Sequence, residues 1–324
     1  MILPRIVSAD ELRACIGFED LIEPLAQAFR ATSAGEAANG LIVMFPVQPN
    51  DLGDVYVKTG TLRGHPVYVV KVSPWFAANV QNKVAQGGFL AVFDSGTGHT
   101  LAILNEEHYL SDIRTAAAGA LAARTLAPKS IRSVSVLGAG VQAYWQSLAL
   151  YRERPFEVLR VWARDATKAK ALLTRLTTKL PAVEIVLEPD LEQAVRKADV
   201  LICATLAREP LVHGEWLHEG QHITAVGADD PTKCELSVSA LRRARVFVDS
   251  LETALVNGDV HRAIQKGGYA RGDVAGEIGD VLAGEKPGRI SSADITIGKF
   301  VGIGAQDLVA AETALAKLGI SSST

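Results

Sequence analysis

A short stretch with two glycines gives the first chemical signal in this sequence. Residues 133–146 read SVSVLGAGVQAYWQ, which is a β-branched apolar run, a tight turn and the start of a helix. In such a unit Gly138 allows the turn, and Gly140 lets the backbone approach a pyrophosphate. The first helical residues, Val141 and Gln142, then present free N–H groups to the phosphates. The stretch predicts a dinucleotide-binding loop, with a glycine turn in some other α/β domain as the alternative.

The end of the next predicted strand bears on which nicotinamide cofactor is bound. An acidic residue there would hold the ribose hydroxyls of NAD(H), whereas an arginine would accept the 2′-phosphate of NADP(H). The sequence has Ala163 at the acidic position, followed by Arg164 and Asp165. A guanidinium can pair with a phosphate or stack on adenine. This order favours NADP(H), and Asp165 keeps NAD(H) as the alternative.

The elements that must position this loop alternate regularly along the chain. From residue 133 onward apolar strand segments are separated by helical ones, a pattern that predicts a parallel α/β sheet. The strand segments are SVSVLG, VLRVWA, VEIVL, VLICAT, HITAVGA and ARVFVD.

The residues before the loop predict a different unit. Apolar spacing over residues 8–34 predicts two amphipathic helices. Short β-rich runs then alternate with turns over residues 41–104, which predicts a meandering antiparallel sheet. An alanine-rich helix opens at Ser111 and runs through Ala127. A last helix is predicted over residues 307–318, and periodicity alone does not tell whether it returns to the first unit.

Composition and charge exclude several function classes. The 324 residues are 48% hydrophobic and 21% charged, with a formal net charge of −3. This is long enough for two domains and lacks the basic bias of nucleic-acid-binding proteins. No apolar run approaches the ~18 to 20 residues that cross a bilayer, and the start lacks the basic leader of a signal peptide. We expect a cytoplasmic protein with neither a membrane nor a nucleic-acid partner.

Cysteine and histidine spacing argues against a metal. The three cysteines have neither paired metal-ligand spacing nor a disulfide-like pattern. His213, His218 and His222 cluster in sequence but lack the helical spacing of zinc ligands. We therefore expect no metal cofactor.

Several stretches, taken in order, resemble the ornithine cyclodeaminase/mu-crystallin family, and together they cover nearly the whole chain. They are Asp112-Ile-Arg-Thr-Ala-Ala117, Gly138-Ala-Gly-Val-Gln-Ala143, Thr205-Leu-Ala-Arg-Glu-Pro210, Gly214-Glu-Trp216, Ala225-Val-Gly-Ala-Asp229, Val248-Asp-Ser250 and Lys299 to Asp307. The resemblance implies an α/β fold with a Rossmann-type nucleotide-binding domain (128–298) inserted into an α+β substrate-binding and dimerisation domain (1–127 plus 299–324). It also implies a homodimer. The insertion would explain why the glycine loop lies so deep in the chain.

The resemblance implies roles for particular residues. Lys71 and Arg114 match the residues that bind the substrate carboxylate, and Lys71 and Asp229 are the predicted catalytic residues, with Asp229 beside the substrate nitrogen. A carboxylate needs fixed cations, and a guanidinium pairs with it in a bidentate way; a carboxylate such as Asp229 can exchange a proton with nitrogen. The alternative for Lys71 is an edge lysine, that for Arg114 is a surface arginine, and that for Asp229 is a turn aspartate. Cofactor contacts are implied for Thr115, Thr205 and Val226, beside those of the glycine loop and Arg164.

Two departures from the family pattern affect the substrate. A further carboxylate-binding arginine is expected near residues 42–44, but segment 40–46 contains none. Lys58 stands where the cyclodeaminases have a catalytic glutamate, which argues against ornithine cyclisation. Lys58 could instead bind an acidic substrate side chain, with an exposed strand lysine as the alternative.

These residues favour NAD(P)H-dependent reduction of a small imino acid to an L-amino acid, or the reverse dehydrogenation, with an acidic imine such as iminosuccinate among the candidate substrates. The first alternative is a redox-neutral ornithine cyclodeaminase that uses bound NAD⁺. The second is a non-catalytic NAD(P)-binding or ligand-binding protein, because a fold does not determine a function.

Overall fold

The computed structural model describes residues 3–47, 52–82 and 84–321. They form two compact units: the described residues of Met1–Arg114 together with Ile303–Thr324, and Thr115–Gly302. The sequence-predicted inserted domain was 128–298, so the units change over thirteen residues earlier and four residues later than that prediction.

The strands of the first unit are β1 (Arg5–Val7), β2 (Ala37–Met44), β3 (Gly53–Leu62), β4 (Val67–Phe76), β5 (Phe89–Asp94) and β6 (Thr100–Leu104). Those of the second are β7 (Ser133–Leu137), β8 (Val158–Trp162), β9 (Glu184–Leu187), β10 (Val200–Cys203), β11 (His222–Ala225), β12 (Arg245–Val248), β13 (Gly276–Glu277) and β14 (Thr296–Lys299).

The helices are α1 (Ala9–Cys15), α2 (Ile22–Ser33), α3 (Ala77–Asn82), α4 (Tyr109–Leu126), α5 (Val141–Glu153), α6 (Ala166–Lys179), α7 (Leu191–Arg196), α8 (Val238–Arg243), α9 (Leu251–Ala254), α10 (Gly258–Gln265), α11 (Ile278–Leu282) and α12 (Gly304–Lys317). Short 3₁₀ helices lie at Phe18–Leu21, Gly214–Trp216 and Arg271–Asp273. In the part of the chain that the structure describes, none of the helices combines the length and apolar character needed to span a bilayer.

The described residues of the first unit build a six-stranded sheet in the order β1-β6-β5-β4-β3-β2. Strands β2 to β6 form the antiparallel meander that the sequence predicts, and β1 joins it in parallel beside β6. Burial alternates along β3 and β4, because successive side chains of a strand point to opposite faces. Helices α2 and α12 pack on the buried face.

Two glycines allow α12 to lie directly on this sheet. A β-carbon on Gly304, the first residue of α12, would overlap the carbonyl oxygen of Thr59 in β3. A β-carbon on Gly60 would in turn overlap the carbonyl group of Gly304. The backbones therefore approach as closely as glycine permits, and the first turn of α12 belongs to the first unit. The predicted helix 307–318 in fact begins three residues earlier, at Gly304.

The second unit holds an all-parallel sheet in the order β9-β8-β7-β10-β11-β14-β12-β13. The chain runs outward from β7 to β9, returns to β10 on the other side of β7, and then runs outward again. This is the arrangement of a doubly wound fold, and it confirms the predicted Rossmann-type class. Ligands of such folds bind at the carboxyl ends of the strands where the order reverses, which here is the edge between β7 and β10.

Long-range pairing explains why the units change over where they do. Strand β14 inserts between β11 and β12, so Lys299 belongs to the second unit rather than to the tail. The side chain of Asp249 then accepts hydrogen bonds from the N–H groups of Val301 and Gly302 (3.0 and 2.6 Å). At the other boundary, the carbonyl oxygens of Thr115 and Leu126 accept hydrogen bonds from Gln146 and Thr296. Most of α4 therefore packs with the second unit.

Candidate active site

The three predicted cations of the first unit are all buried. Lys58 and Lys71 are direct cross-strand partners in β3 and β4 and are 4% and 1% exposed. Arg114 from α4 is 6% exposed. The alternatives of an exposed strand lysine, an edge lysine and a surface arginine are therefore wrong. Helix α4 also begins at Tyr109 rather than at Ser111.

A carboxylate that the sequence analysis did not single out joins two of these cations. The Asp307 Oδ1 atom lies 2.6 Å from Lys71 Nζ and 3.0 Å from Arg114 Nε. The adjacent Gln306 Oε1 accepts a hydrogen bond from Arg114 Nη1 (2.7 Å). Lys71 Nζ also donates to Ser111 Oγ (3.1 Å). Lys71 and Arg114 are thus held with their charged ends together around one carboxylate.

The ionisation of this cluster follows from burial and mutual charge. Burial alone would raise the pKa of Asp307, but the charges of Arg114, Lys71 and Lys58 outweigh it and leave the pKa below its usual value. Burial lowers the pKa of Lys71, an effect that Asp307 opposes and Arg114 reinforces. We conclude that Asp307 is ionised and that it supports the charge of both neighbouring cations.

Two buried polar atoms in the same cluster remain unsatisfied. Among the described residues, neither Asp307 Oδ2 nor Gln306 Nε2 has a hydrogen-bond partner. One is an acceptor and the other a donor, and a buried polar group without a partner is costly. A ligand that carries both a donor and an acceptor, as an amino or imino acid does, would satisfy both atoms.

In the second unit, the glycine turn has the backbone that a dinucleotide loop requires. Gly138 has a φ of 118°, and a β-carbon on it would overlap the carbonyl oxygen of Ala204, which follows β10. Gly140 precedes the first turn of α5, and a β-carbon there would meet no protein atom within 4 Å. The open space at Gly140 and the N-terminus of α5, where Val141 is 48% exposed, fit a bound pyrophosphate.

A glutamine links two further predicted cofactor residues. Gln146 Nε2 donates to the carbonyl oxygen of Thr115 (2.8 Å) and lies 3.4 Å from Gln142 Oε1. A side chain on Gly119 would collide with Gln146. Thr115 of α4 is thereby fixed beside the first turn of α5.

Loops at the carboxyl ends of β10 and β11 carry the remaining cofactor residues. Thr205 follows β10, and its N–H and hydroxyl groups both donate to Glu235 Oε1. Val226 follows β11 and donates its N–H to the Cys203 carbonyl (2.9 Å). The carboxyl edge of the sheet therefore brings Thr205 and Val226 to the same side as the glycine turn.

Asp229 lies in the loop that follows β11. Its Oδ1 atom accepts a hydrogen bond from Lys233 Nζ at 2.7 Å, and its side chain is 33% exposed. The turn is stabilised by Asp230, which accepts hydrogen bonds from the Thr232 N–H and hydroxyl and from the Lys233 N–H. Asp229 is thus ion-paired with Lys233 within this loop, and its role stays a prediction.

Of the two charged residues that follow β8, Asp165 makes hydrogen bonds to the backbone and Arg164 is exposed to solvent. Asp165 Oδ1 caps α6 by accepting the N–H groups of Thr167 and Lys168 (2.9 and 3.1 Å). Arg164 is exposed. The N–H of Gly138 donates to the Trp162 carbonyl (2.9 Å), so the glycine turn adjoins the end of β8.

Sequence reasoning missed Gln146, Glu235, Gln306 and Asp307 as members of these clusters. The sequence did contain a signal for Gln306 and Asp307, because both lie in the family-like stretch from Lys299 to Asp307. Glu235 and Gln146 show no such signal, because each acts through contacts with residues distant in sequence.

The chain is similar along most of its length to known proteins. The model of the ornithine cyclodeaminase/mu-crystallin family matches residues 4–318. An uncharacterized cyclodeaminase of Sinorhizobium fredii is 37% identical over 313 residues, which are 96% of this chain and 94% of that protein.

Two solved structures extend the comparison. The Δ1-pyrroline-2-carboxylate reductase of Thermococcus litoralis, in complex with NADH and L-proline, superposes with a TM-score of 0.91 at 28% identity and covers 99% of this chain and 100% of its own. The iminosuccinate reductase of Paracoccus denitrificans, in complex with NAD⁺, superposes with a TM-score of 0.88 at 26% identity, covering 98% and 96%.

The buried cluster predicts a large effect of Asp307→Asn. Asparagine keeps the shape but removes the carboxylate charge that pairs directly with Lys71 and Arg114, so the free energy of unfolding should fall by about 3 to 5 kcal/mol. Chemical denaturation checks this. The control Asp10→Asn removes an exposed ion-pair partner with a 93% exposed side chain and should change stability by less than about 1 kcal/mol. An Asp307→Asn protein as stable as that control would contradict the assignment.

Proposed function

The chain belongs to the ornithine cyclodeaminase/mu-crystallin family, and we propose that it is an NAD(P)H-dependent reductase that converts a small imino acid to an L-amino acid, or catalyses the reverse oxidation. The observation that carries this proposal is the buried pair Lys71 and Arg114 beside the unsatisfied atoms of Gln306 and Asp307. An α-imino acid would match this arrangement. Its carboxylate would pair with the two cations, and its polar groups would pair with the unsatisfied donor and acceptor. The reductases among the solved structures compared above support the same reaction class.

The chain's own residues divide the work of this reaction. Lys71 and Arg114 would bind the carboxylate and thereby fix the neighbouring α-carbon, because two anchored oxygens leave that carbon little freedom. Asp307 keeps both cations in place. Asp229 would hold the proton that stays on nitrogen when the C=N bond becomes C–NH. The bound dihydronicotinamide supplies the hydride.

A steady-state assay tests the proposal directly. Purified protein should oxidise about one NAD(P)H per imine reduced, as hydride stoichiometry requires, on a panel of cyclic imines, iminosuccinate and 2-oxo acids with ammonia. Asp229→Asn should lower kcat by about 100-fold or more, the range for a lost acid–base group, while retaining NAD(P)H binding. Asp230→Asn, next in the chain, serves as a control for turn disruption because its side chain holds the turn.

Two other outcomes would replace the proposal. The S. fredii relative favours a cyclodeaminase as the second candidate, and proline formed from L-ornithine without net change in NAD(H) would establish it. The cyclodeaminase mechanism needs a glutamate that handles protons at the position of Lys58. The lysine there argues against this candidate. A protein that binds NAD(P)H but turns over no member of the panel would support the non-catalytic alternative.

Within this function, we propose that the substrate carries a second acidic group and that Lys58 binds it. Lys58 is 4% exposed and lies directly opposite Lys71, and its charge acts on Asp307. A third buried cation beside the carboxylate-binding pair suits a dicarboxylic imine. The superposition with an iminosuccinate reductase supports this choice.

Lys58→Gln should therefore change substrate preference. The ratio of kcat/KM for iminosuccinate to that for Δ1-pyrroline-2-carboxylate should fall by about tenfold or more, because a hydrogen bond to a charged group contributes about 1.5 to 3 kcal/mol. Competition kinetics with both imines measures the ratio. Equal losses on both substrates would remove Lys58 from side-chain recognition.

We also propose that NADPH is preferred over NADH. Ala163 replaces the acid that would hold the ribose, Asp165 is engaged in capping α6, and Arg164 is exposed beside them. Arg164→Ala should weaken NADPH binding by about tenfold, the loss of one charge-assisted contact, and leave NADH binding within about twofold. Fluorescence titration with both cofactors decides. A wild-type preference for NADH that Arg164→Ala does not alter would refute the proposal.

We further propose that two copies of the chain associate through the outer face of the first unit's sheet. Phe89, Val72, Val57 and Ile42 are successive cross-strand partners on the face away from α12. Phe89 and Ile42 are 38% and 60% exposed. A contiguous apolar row on a sheet is a common basis of self-association, and a second copy would cover it.

A further inference from the structure

One buried carboxylate connects the two loops at the carboxyl edge of the second unit's sheet. Glu235 Oε1 accepts hydrogen bonds from the N–H (2.7 Å) and hydroxyl (2.8 Å) of Thr205, after β10. Glu235 Oε2 accepts the N–H groups of Gly227 (2.8 Å) and Ala228 (3.2 Å), after β11. Glu235 is fully buried. The two loops are thus tied to opposite oxygens of one side chain.

The four groups described above that hydrogen-bond to the Glu235 carboxylate are all donors, so both of its oxygens must accept. An ionised carboxylate is the side-chain group that does this. A glutamine would turn its amino group toward either Thr205 or the pair Gly227 and Ala228, and one of the two loops would lose its acceptor. The chemistry at this position is therefore specific to the charged form.

Two further buried charged residues, Asp259 and Lys299, stabilise the segment around Glu235. Asp259 Oδ1 accepts the N–H groups of Glu235 (2.6 Å) and Leu236 (2.8 Å). Lys299 Nζ lies 3.4 Å from Asp259 Oδ2 and donates to the Ala228 carbonyl (2.5 Å). Glu235, Asp259 and Lys299 are all completely buried. Ala228, in the loop after β11, is therefore bound twice: its N–H group donates to Glu235, and its carbonyl oxygen accepts from Lys299.

The loops so connected carry the residues assigned above to cofactor and substrate nitrogen. Thr205 lies in the first loop, and Val226 and Asp229 flank the second attachment point. The carbonyl of Ala204, next to Thr205, packs against Gly138 of the dinucleotide turn. We propose that Glu235 is a positioning residue that sets the cofactor edge of the sheet by holding Thr205 and the Gly227–Ala228 backbone at a defined separation. This inference rests on the proposed NAD(P)H-dependent function.

The charges around Glu235 give the inference a pH signature. Burial and the nearby Asp259 raise the pKa of Glu235 to about 7, whereas Lys299 and the donors of Thr205 act in the opposite direction. The buried thiol of Cys203 also faces this carboxylate. Protonation places a donor on one oxygen, so one loop loses its acceptor as the pH falls through about 7. NAD(P)H affinity should weaken over the same range.

The test is a fluorescence titration of NADPH and NADH with the full-length wild type and Glu235→Gln between pH 6 and 8. At pH 8 the Kd of Glu235→Gln should be about tenfold higher than that of the wild type, because one loop has lost its acceptor. The Kd of the variant should not change with pH. Glu209→Gln is the matched control, since Glu209 belongs to the same unit with a 78% exposed side chain, and its Kd should equal the wild-type value.

Thermal unfolding without cofactor separates positioning from stability. A rise in Kd measured where the variant is fully folded supports the inference. A rise that only follows the unfolded fraction, or a Kd within twofold of wild type at every pH, overturns it. If Glu235→Gln does not fold, the wild-type pH profile decides: the Kd for NADPH should rise as the pH falls through about 7, and a Kd that stays constant between pH 6 and 8 overturns the inference. A wild type that binds neither cofactor refutes the proposed function itself.

Discussion

The ion cluster around Asp307 is the constraint on which the rest of the first unit depends. Removing a lysine and an arginine from water costs several kcal/mol for each ion, and a counter-charge with good geometry has to repay that cost. Lys71 and Arg114 find their counter-charge 236 and 193 residues away in sequence. The chain therefore has to return to the first sheet, and Gly60 and Gly304 make the close approach possible. The intervening residues are then free to form a unit of their own.

The segment from Lys299 to Asp307 serves both units within nine residues. Its first residue is buried in the second unit, where Lys299 donates to the Ala228 and Phe300 carbonyls. Its last residue is buried in the first unit beside Lys71. Between them, Asp249 holds the backbone at Val301 and Gly302. This division of roles explains why a family-like stretch of this length contains so many small and polar residues.

Members of one fold family differ in reaction through few side chains, because the fold supplies the scaffold and the site supplies the chemistry. In this chain the glycine turn and the buried pair Lys71 and Arg114, which we propose to bind the substrate carboxylate, are both present, and this combination fits hydride exchange at an amino-acid α-carbon. We propose that the lysine at position 58 separates the candidate reactions. A lysine at that position lacks the carboxylate that the cyclodeaminases use there, and its positive charge suits the second anionic group that we propose for the substrate.

The sequence alone determined those features that depend on neighbours along the chain. The alternation of strands and helices after residue 133, the antiparallel meander before it and the glycine turn are all set by local periodicity and backbone freedom, and the structure confirms them. The family resemblance also pointed to Lys71, Arg114 and Asp229 as candidates, although the roles of these residues stay predictions. Only the tertiary structure decided that β14 inserts between β11 and β12, that Asp307 holds two buried cations and that Glu235 ties two loops together. Each of these is a contact between residues far apart in sequence, so its energy depends on burial and on partners that no local pattern encodes.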